Sequence, residues 1–391
     1  MEVIFWTASL LVGYTYVGYG ALLWLLVRLK RAVWGHPQPA VPDEWPPVTF
    51  LVAAWNEEDF IVEKLRNSQQ FDYPADKLTI VVVTDGSTDR TPALVAGWQE
   101  GPFPVVLEHQ PERKGKIAAV ARVMPRVQTP VVVFSDANTH VNPQAIKNIV
   151  RHYERPEVGA VAGEKRIAVA EKGDAPGAGE STYWKYESAL KRLDSELYTV
   201  VGAAGELFSI RTALYEPVPL DTIVEDFYMT TRIAMRGYRV VYEPQAWASE
   251  RQSATIEDEL TRKIRIAAGG LQAAWRLRSL LNPFRYGVLT FQYVSHRLLR
   301  WTLAPLALPV VFVSNAALVG LHPIYTLLFV GQSAFYALAL AGKLLAHRPL
   351  RFKLLFVPYY FCVMNYAVYR GFFRLLSGKQ SVLWEKARRA V

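Results

Sequence analysis

The chain has 391 residues, 51% of them hydrophobic and 20% charged, with a formal net charge of +9. That length holds one enzyme-sized domain of roughly 200–250 residues plus membrane segments. Its single cysteine, Cys362, excludes an intrachain disulfide and a cysteine-built metal site, and the placement of its basic residues argues against nucleic acid as a partner. Arg28, Lys30 and Arg31 follow one apolar stretch, while Arg276, Arg278, Arg285, Arg297 and Arg300 precede another. Such clusters read as cytoplasmic membrane flanks, and no helix-turn-helix, zinc-knuckle or RNA-recognition pattern accompanies them.

Residues 4–27 carry no charge and are long enough to span a bilayer. A basic cluster follows them and no basic region precedes them, so a membrane helix is expected rather than a signal peptide. Residues 1–34 are then a transmembrane helix with its basic flank, and the proline-rich 35–47 a stiff linker. The large domain, 48–280, is expected on the cytoplasmic side.

Within that domain apolar runs alternate with amphipathic ones. Strands are predicted over 48–55, 78–85, 105–109 and 131–137, with helices over 57–69, 89–99, 115–124 and from 142 or 143 to about 153. The alternation predicts an α/β domain with a mostly parallel sheet. Ligands of such sheets sit beyond the carboxyl ends of the strands, which directs attention to Asn56, Glu57, Asp85 and Asp136. Residues 281–391 are expected to hold interfacial and transmembrane helices and a basic tail. In order these are an interfacial helix over 283–300, spans over 302–320 and 323–342, and an apolar segment over 352–376. Pro358, Asn365 and Arg370 leave that last segment open between a span, a re-entrant or interfacial helix, and the wall of a polar path.

Six motifs carry chemistry. In TDGSTDRT (84–91), Ser87 and Asp89 suit helix capping, and Asp85 sits where a carboxylate can accept from a nucleobase N–H or a ribose hydroxyl. In FSDANTH (134–140), Asp136 follows four apolar residues and must be solvated, paired, metal-bound or a helix cap. With Asn138 it offers oxygen ligands to Mg²⁺ or Mn²⁺, which take only one or two from protein when a diphosphate supplies others. RKGKIAAV (113–120) places Lys114 and Lys116 at a helix start, as a diphosphate cradle or as solvated lysines. VGAAGELFSIR (201–211) sets Gly202, Gly205 and Glu206 where a bulky acceptor can approach the backbone. In TIVEDFYMTTR (222–232), Glu225 and Asp226 fall in the first turn of a helix; the helix dipole accounts for Glu225, and Asp226 is the candidate base. Finally, Arg262 and Arg265 share a helix face, fit either to grip a diphosphate or to anchor at a membrane surface.

Taken in order, AAWNEE, TDGSTD, RKGK, FSDANT, GAAGELF, IVEDF and RKIR, followed by apolar helices, resemble the family 2 inverting glycosyltransferases. The likeness is to their membrane-integrated branch of cellulose, hyaluronan and poly-N-acetylglucosamine synthases. The resemblance implies a GT-A (Rossmann-like) domain flanked by membrane helices in a bacterial inner or plasma membrane. It also implies a nucleotide-diphosphate sugar donor, a UDP-sugar foremost, and Mg²⁺ or Mn²⁺. By the same resemblance Asp85 binds the nucleobase, Lys116 approaches the diphosphate, Asp136 is the first acid of an Asp-x-Asp motif, and Asp226 is the base. Asn56, Glu57, Arg262 and Arg265 join the donor site; Gly205, Glu206 and Glu225 join the acceptor site; Asp136 and Asn138 hold the metal.

Two positions depart from that pattern. Asn138 replaces the second Asp, and Arg262-Lys263-Ile264-Arg265-Ile266 lacks the tryptophan on which a growing polymer stacks. Trp184, Trp247 and Trp275 are the alternatives for such a platform. Three functions stay open: extension of a polysaccharide, with passage through the chain's own helices; addition of one sugar to a lipid-linked or other membrane acceptor; and a non-catalytic transport or assembly subunit. Whether a partner subunit or a second copy takes part is left open.

Overall fold

The computed structural model describes residues 1–35, 41–168, 175–251, 255–345 and 353–378. Part of the expected linker (36–40) and the basic tail, with Lys379, Lys386, Arg388 and Arg389, lie outside the described residues. The chain opens with α1 (Glu2–Trp34), an apolar helix of 33 residues. A repeating unit follows: β1 (Val48–Ala54), α2 (Ile61–Ser68), β2 (Leu78–Asp85), α3 (Thr91–Ala96), β3 (Val105–Gln110), α4 (Lys116–Val123) and β4 (Val131–Asp136). Next come β5 (Thr139–Val141), α5 (Ala145–Val150), β6 (Val158–Ala168), α6 (Ala175–Leu197), β7 (Leu207–Arg211), α7 (Glu225–Met235), β8 (Arg239–Arg251) and α8 (Ile256–Arg276). The last helices are α9 (Val288–Trp301), α10 (Leu303–Ala316), α11 (Pro323–Leu344) and α12 (Lys353–Leu376).

One eight-stranded sheet runs in the order β3-β2-β1-β4-β7-β6-β8-β5. The first four strands pair in parallel; β1, β2 and β4 are apolar runs buried on both faces, and β3 is the partly exposed edge. β7 inserts antiparallel between β4 and β6, so the sheet is mixed. Successive side chains of β1 face opposite layers: Val48, Phe50 and Val52 pack with Ile61 and Leu65 of α2, whereas Leu51 and Ala53 pack with Ile117 and Val120 of α4. The register sets Ala53 beside Asp136 and Ala54 beside Thr84, which brings the polar carboxyl ends of β1, β2 and β4 to one edge.

Among the described residues, α1 and α11 are long and apolar enough to cross a membrane, and α9 with α10 passes the same test as a pair bent by 56°. The expected interfacial helix over 283–300 is therefore continuous, through that bend, with the expected span over 302–320. α12 packs on both α11 and α8. Gly371 makes the α8 contact possible, since a Cβ there would lie 2.8 Å from both Ala267 Cβ and Ala268 N. The globular domain thus meets the apolar helices through an ordered helix–helix joint.

Candidate active site

The strand edge gathers the carboxylates around one lysine. Asp85, buried at the end of β2, accepts hydrogen bonds from the backbone N–H of Lys114 (2.8 Å) and Gly115 (2.7 Å). That clamp starts α4 at Lys116, whose Nζ lies 2.8 Å from Asp136 Oδ1 and 2.9 Å from Glu225 Oε1. Glu225 and Asp226 open α7, and Asp226 Oδ1 accepts from Phe227 N at 2.8 Å. Gly205 passes close by: a Cβ there would stand 3.2 Å from Asp226 Oδ2 and 3.6 Å from Lys116 Nζ.

The turn carrying Asp136 and Asn138 rests on Lys64, a fully buried lysine of α2. Its Nζ donates to Ser135 Oγ (2.7 Å), Thr139 O (3.0 Å) and Thr139 Oγ1 (3.1 Å). Burial lowers the Lys64 ammonium to about 7, opposed by Asp136. Lys64 was absent from the sequence reading. Its signal was a lysine at the i+3 place of a buried stripe formed by Ile61, Leu65 and Ser68.

A second charged chain borders the first. Glu206 pairs with Lys165, which also donates to Glu250 at 2.6 Å. Arg262 pairs with Glu259 (2.9 Å) and reaches Glu250 (3.5 Å), so its guanidinium is committed to the protein. Arg265 contrasts with it: its buried Nε has no hydrogen-bond partner. Lys116, Asp136, Asn138, Gly205, Glu206, Glu225, Asp226, Glu57, Arg262 and Arg265 all line one cavity of about 780 Å³. Asn56 and Asp85 do not. Asn56, at φ 53°, accepts from Thr88 N at 2.8 Å and ties the first loop to the second. The same cavity continues to Tyr16 of α1, Trp301 of α9, and Phe361, Met364 and Asn365 of α12.

The carboxylates titrate apart. Burial, reinforced by Glu225, pushes the Asp226 carboxyl up to about 7. Burial also raises Asp136 against the pull of Lys116. It would raise Glu225 too, but Lys116 outweighs it and holds that group below the ordinary range. Lys116 is itself held charged: burial disfavours its charge, and Asp136 and Glu225 more than compensate. One carboxylate is therefore poised near neutrality beside Glu225, which Lys116 holds in its charged form. Neutral-range basicity is the property a general base needs.

Among the described residues no group of three or more His, Cys, Asp or Glu side chains is arranged to hold a metal. Asp136 and Asn138 supply a carboxylate and an amide oxygen on one cavity wall. That donor set fits a hard divalent ion completing its shell with diphosphate oxygens and water, not one caged by protein alone.

Sheet order and the carboxylates at the strand edge describe a GT-A-like α/β domain, and comparison with known proteins agrees on the fold. Residues 49–217 match the family described as Glycosyl transferase family 2. The poly-beta-1,6-N-acetyl-D-glucosamine synthase of Staphylococcus aureus is 27% identical over 242 residues, 60% of this chain and 57% of that protein. The beta-monoglucosyldiacylglycerol synthase of a Nostoc species is 28% identical over 213 residues, 53% of this chain and 43% of that one. The chain thus spans little more than half the length of the staphylococcal relatives it matches. A mannosyltransferase from Pyrobaculum calidifontis, solved with GDP-mannose and Mn²⁺, aligns over 95% of this chain and 99% of its own at 25% identity and TM-score 0.68. An alignment that complete takes in the flanking helices as well as the sheet.

Proposed function

We propose that the chain transfers a sugar from a nucleotide-diphosphate sugar, a UDP- or GDP-sugar, to a hydroxyl of an acceptor held at the membrane, inverting the anomeric centre. One observation carries this reading: a single cavity runs from Lys116, Asp136 and Asp226 to the side chains of α1, α9 and α12. An acceptor anchored among those helices reaches the carboxylates without leaving the protein. In this reading the helices span the bilayer and the globular domain lies on its cytoplasmic side.

Asp226 takes the acceptor proton as the hydroxyl attacks the anomeric carbon from the face opposite the nucleotide. Asp136 and Asn138 would hold Mg²⁺ or Mn²⁺, which would supply positive charge to the diphosphate. The Mn²⁺ of the Pyrobaculum mannosyltransferase supports that assignment. Lys116 and Arg265 steady the charge that develops on the leaving diphosphate. Asp85 and Arg262 act at one remove, Asp85 by fixing the Lys114–Lys116 loop and Arg262 by bracing Glu250 and Glu259. Gly205 keeps the acceptor path open beside Asp226.

Because Lys116 draws the Asp226 carboxyl down, Lys116→Met is expected to move the rising limb of the pH–kcat/KM profile upward by about one unit. A slower variant with an unmoved limb would separate Lys116 from the titration of Asp226.

Polymer extension is the second reading. It is favoured by the staphylococcal poly-N-acetylglucosamine synthases among the relatives and by Tyr183, Trp184, Trp301 and Tyr360 on the cavity wall. Product size from a radiolabelled donor separates the two. One sugar per acceptor is expected, and a ladder of lengths would replace this reading with the polymer one.

A further inference from the structure

The cavity is also lined by cations that the transfer reaction proposed above does not use. Lys191 of α6 is 2% exposed, lines the cavity, and has no hydrogen-bond or carboxylate partner among the described residues. Its Nζ lies 5.4 Å from the centre of the Trp184 ring. Beside it, Arg297 and Arg300 of α9 share one buried carboxylate, Glu187, one helical turn before Lys191 on α6. Arg300 also keeps a buried Nε without a partner. Arg297 and Arg300 thus share Glu187, and Lys191 stands in the field of Glu187, Glu164 and Glu206 without pairing with any of them.

The neighbouring acids are engaged elsewhere. Glu206 pairs with Lys165, Glu164 accepts from Ser188 and Tyr242, and Asp194 accepts from His296, Tyr19 and Gln292. Burial, with Arg297 next, lowers the Lys191 ammonium below its ordinary value, so the empty-handed charge is unfavourable as it stands. Buried charge of one sign calls for a counter-ion. The cavity that these cations line also has Val357, Phe361 and Met364 of α12 in its wall.

We propose that Lys191, Arg297 and Arg300 bind the phosphate of a phosphate-bearing membrane lipid that carries the acceptor hydroxyl, with its apolar chain along α12. This rests on the membrane-acceptor reading above and names its substrate class. A neutral glycolipid or a neutral polymer leaves these cations unsatisfied. A free phosphate leaves the apolar wall without an occupant.

The test uses the full chain in detergent and tritiated farnesyl phosphate, with farnesol and inorganic phosphate as comparison probes. Farnesyl phosphate is expected to bind at least about tenfold tighter than farnesol, as a charge-assisted contact to a buried phosphate implies. Lys191→Met is expected to weaken farnesyl phosphate by about tenfold, while its melting temperature holds or rises because an unpaired buried charge is gone. Lys191→Arg is expected to keep the binding. Equal binding of farnesol and farnesyl phosphate, or unchanged binding by Lys191→Met, would overturn the proposal. Displacement by inorganic phosphate at the same concentration as unlabelled farnesyl phosphate would overturn its lipid half. Nucleotide release from a sugar donor by the unaltered protein without lipid reports the catalytic site alone. If release occurs and the lipid arms fail, only the phosphate site falls; if no donor is turned over, the transferase reading falls with it.

Discussion

Replacing Asp226 by Asn is expected to lower the transfer rate by about 10²–10⁴-fold while making the protein more stable above neutral pH. The rate loss is the ordinary contribution of a positioned general base. Stability moves the other way for a reason visible in the geometry. Asp226 is the carboxylate with no lysine of its own: Lys116 is divided between Asp136 and Glu225, and Glu225 adds its charge from the next residue. Its folded carboxyl sits near 7, against an ordinary 3.8. A raised folded value means the native state holds the proton more tightly than the unfolded chain. Asp226 therefore costs nothing below about pH 4, and it draws stability away as pH rises from there through about 7. Asparagine carries no such charge. Melting temperatures of the two proteins should converge near pH 4, separate as pH rises to about 7, and stay apart above it, with the variant higher. A difference that stays constant from pH 5 to pH 9 would show that the effect is packing and not titration.

That outcome depends on a lysine the sequence placed only by type. The strands of the first half were legible: runs over 78–85 and 105–109 became β2 and β3, and 48–55 and 131–137 lost one residue each to β1 and β4. Those strands are local apolar runs, so periodicity suffices. The helices came out shorter, 61–68 within a predicted 57–69, because Asn56 at positive φ and its bonds to the next loop hold the chain in a turn first. The carboxylates at strand ends were legible because parallel α/β sheets put ligands there. What stayed hidden depends on long-range pairing. No local pattern announces that β7 inserts antiparallel beside β4, or that Arg262 is spent on Glu250 and Glu259 while Arg265 faces the cavity. Arg297 and Arg300 read as membrane-flank charges, and the fold turns both inward to Glu187 of α6. Composition located them in the chain, while tertiary pairing decided which side of the helix met solvent.

Glu187 is for that reason the residue whose loss should damage the fold most. Its carboxylate is 1% exposed and receives Arg300 on Oε1, with Arg297 (3.2 Å) and His296 (3.3 Å) on Oε2. Burial alone would raise this group; Arg300, His296 and Arg297 outweigh burial and hold it well below the usual carboxylate range. It fastens α6 of the globular domain to α9, the helix that leads into the apolar segment. Glu187→Gln keeps the volume and removes the charge, leaving two buried guanidinium groups beside Lys191 with no anion. Breaking a buried pair in this way costs about 3–5 kcal/mol. A fall in apparent melting temperature on the order of 10 °C in detergent is expected. The sign of the surrounding field then gives a second measurement. Lys191→Met removes a like charge from the same pocket, so combined with Glu187→Gln it should recover part of the loss, a coupling that additive effects do not produce. Recovery in the double variant identifies the damage as uncompensated positive charge. If the two substitutions simply add, Glu187 acts by packing, and the excess charge assigned to the cavity around Lys191 is wrong.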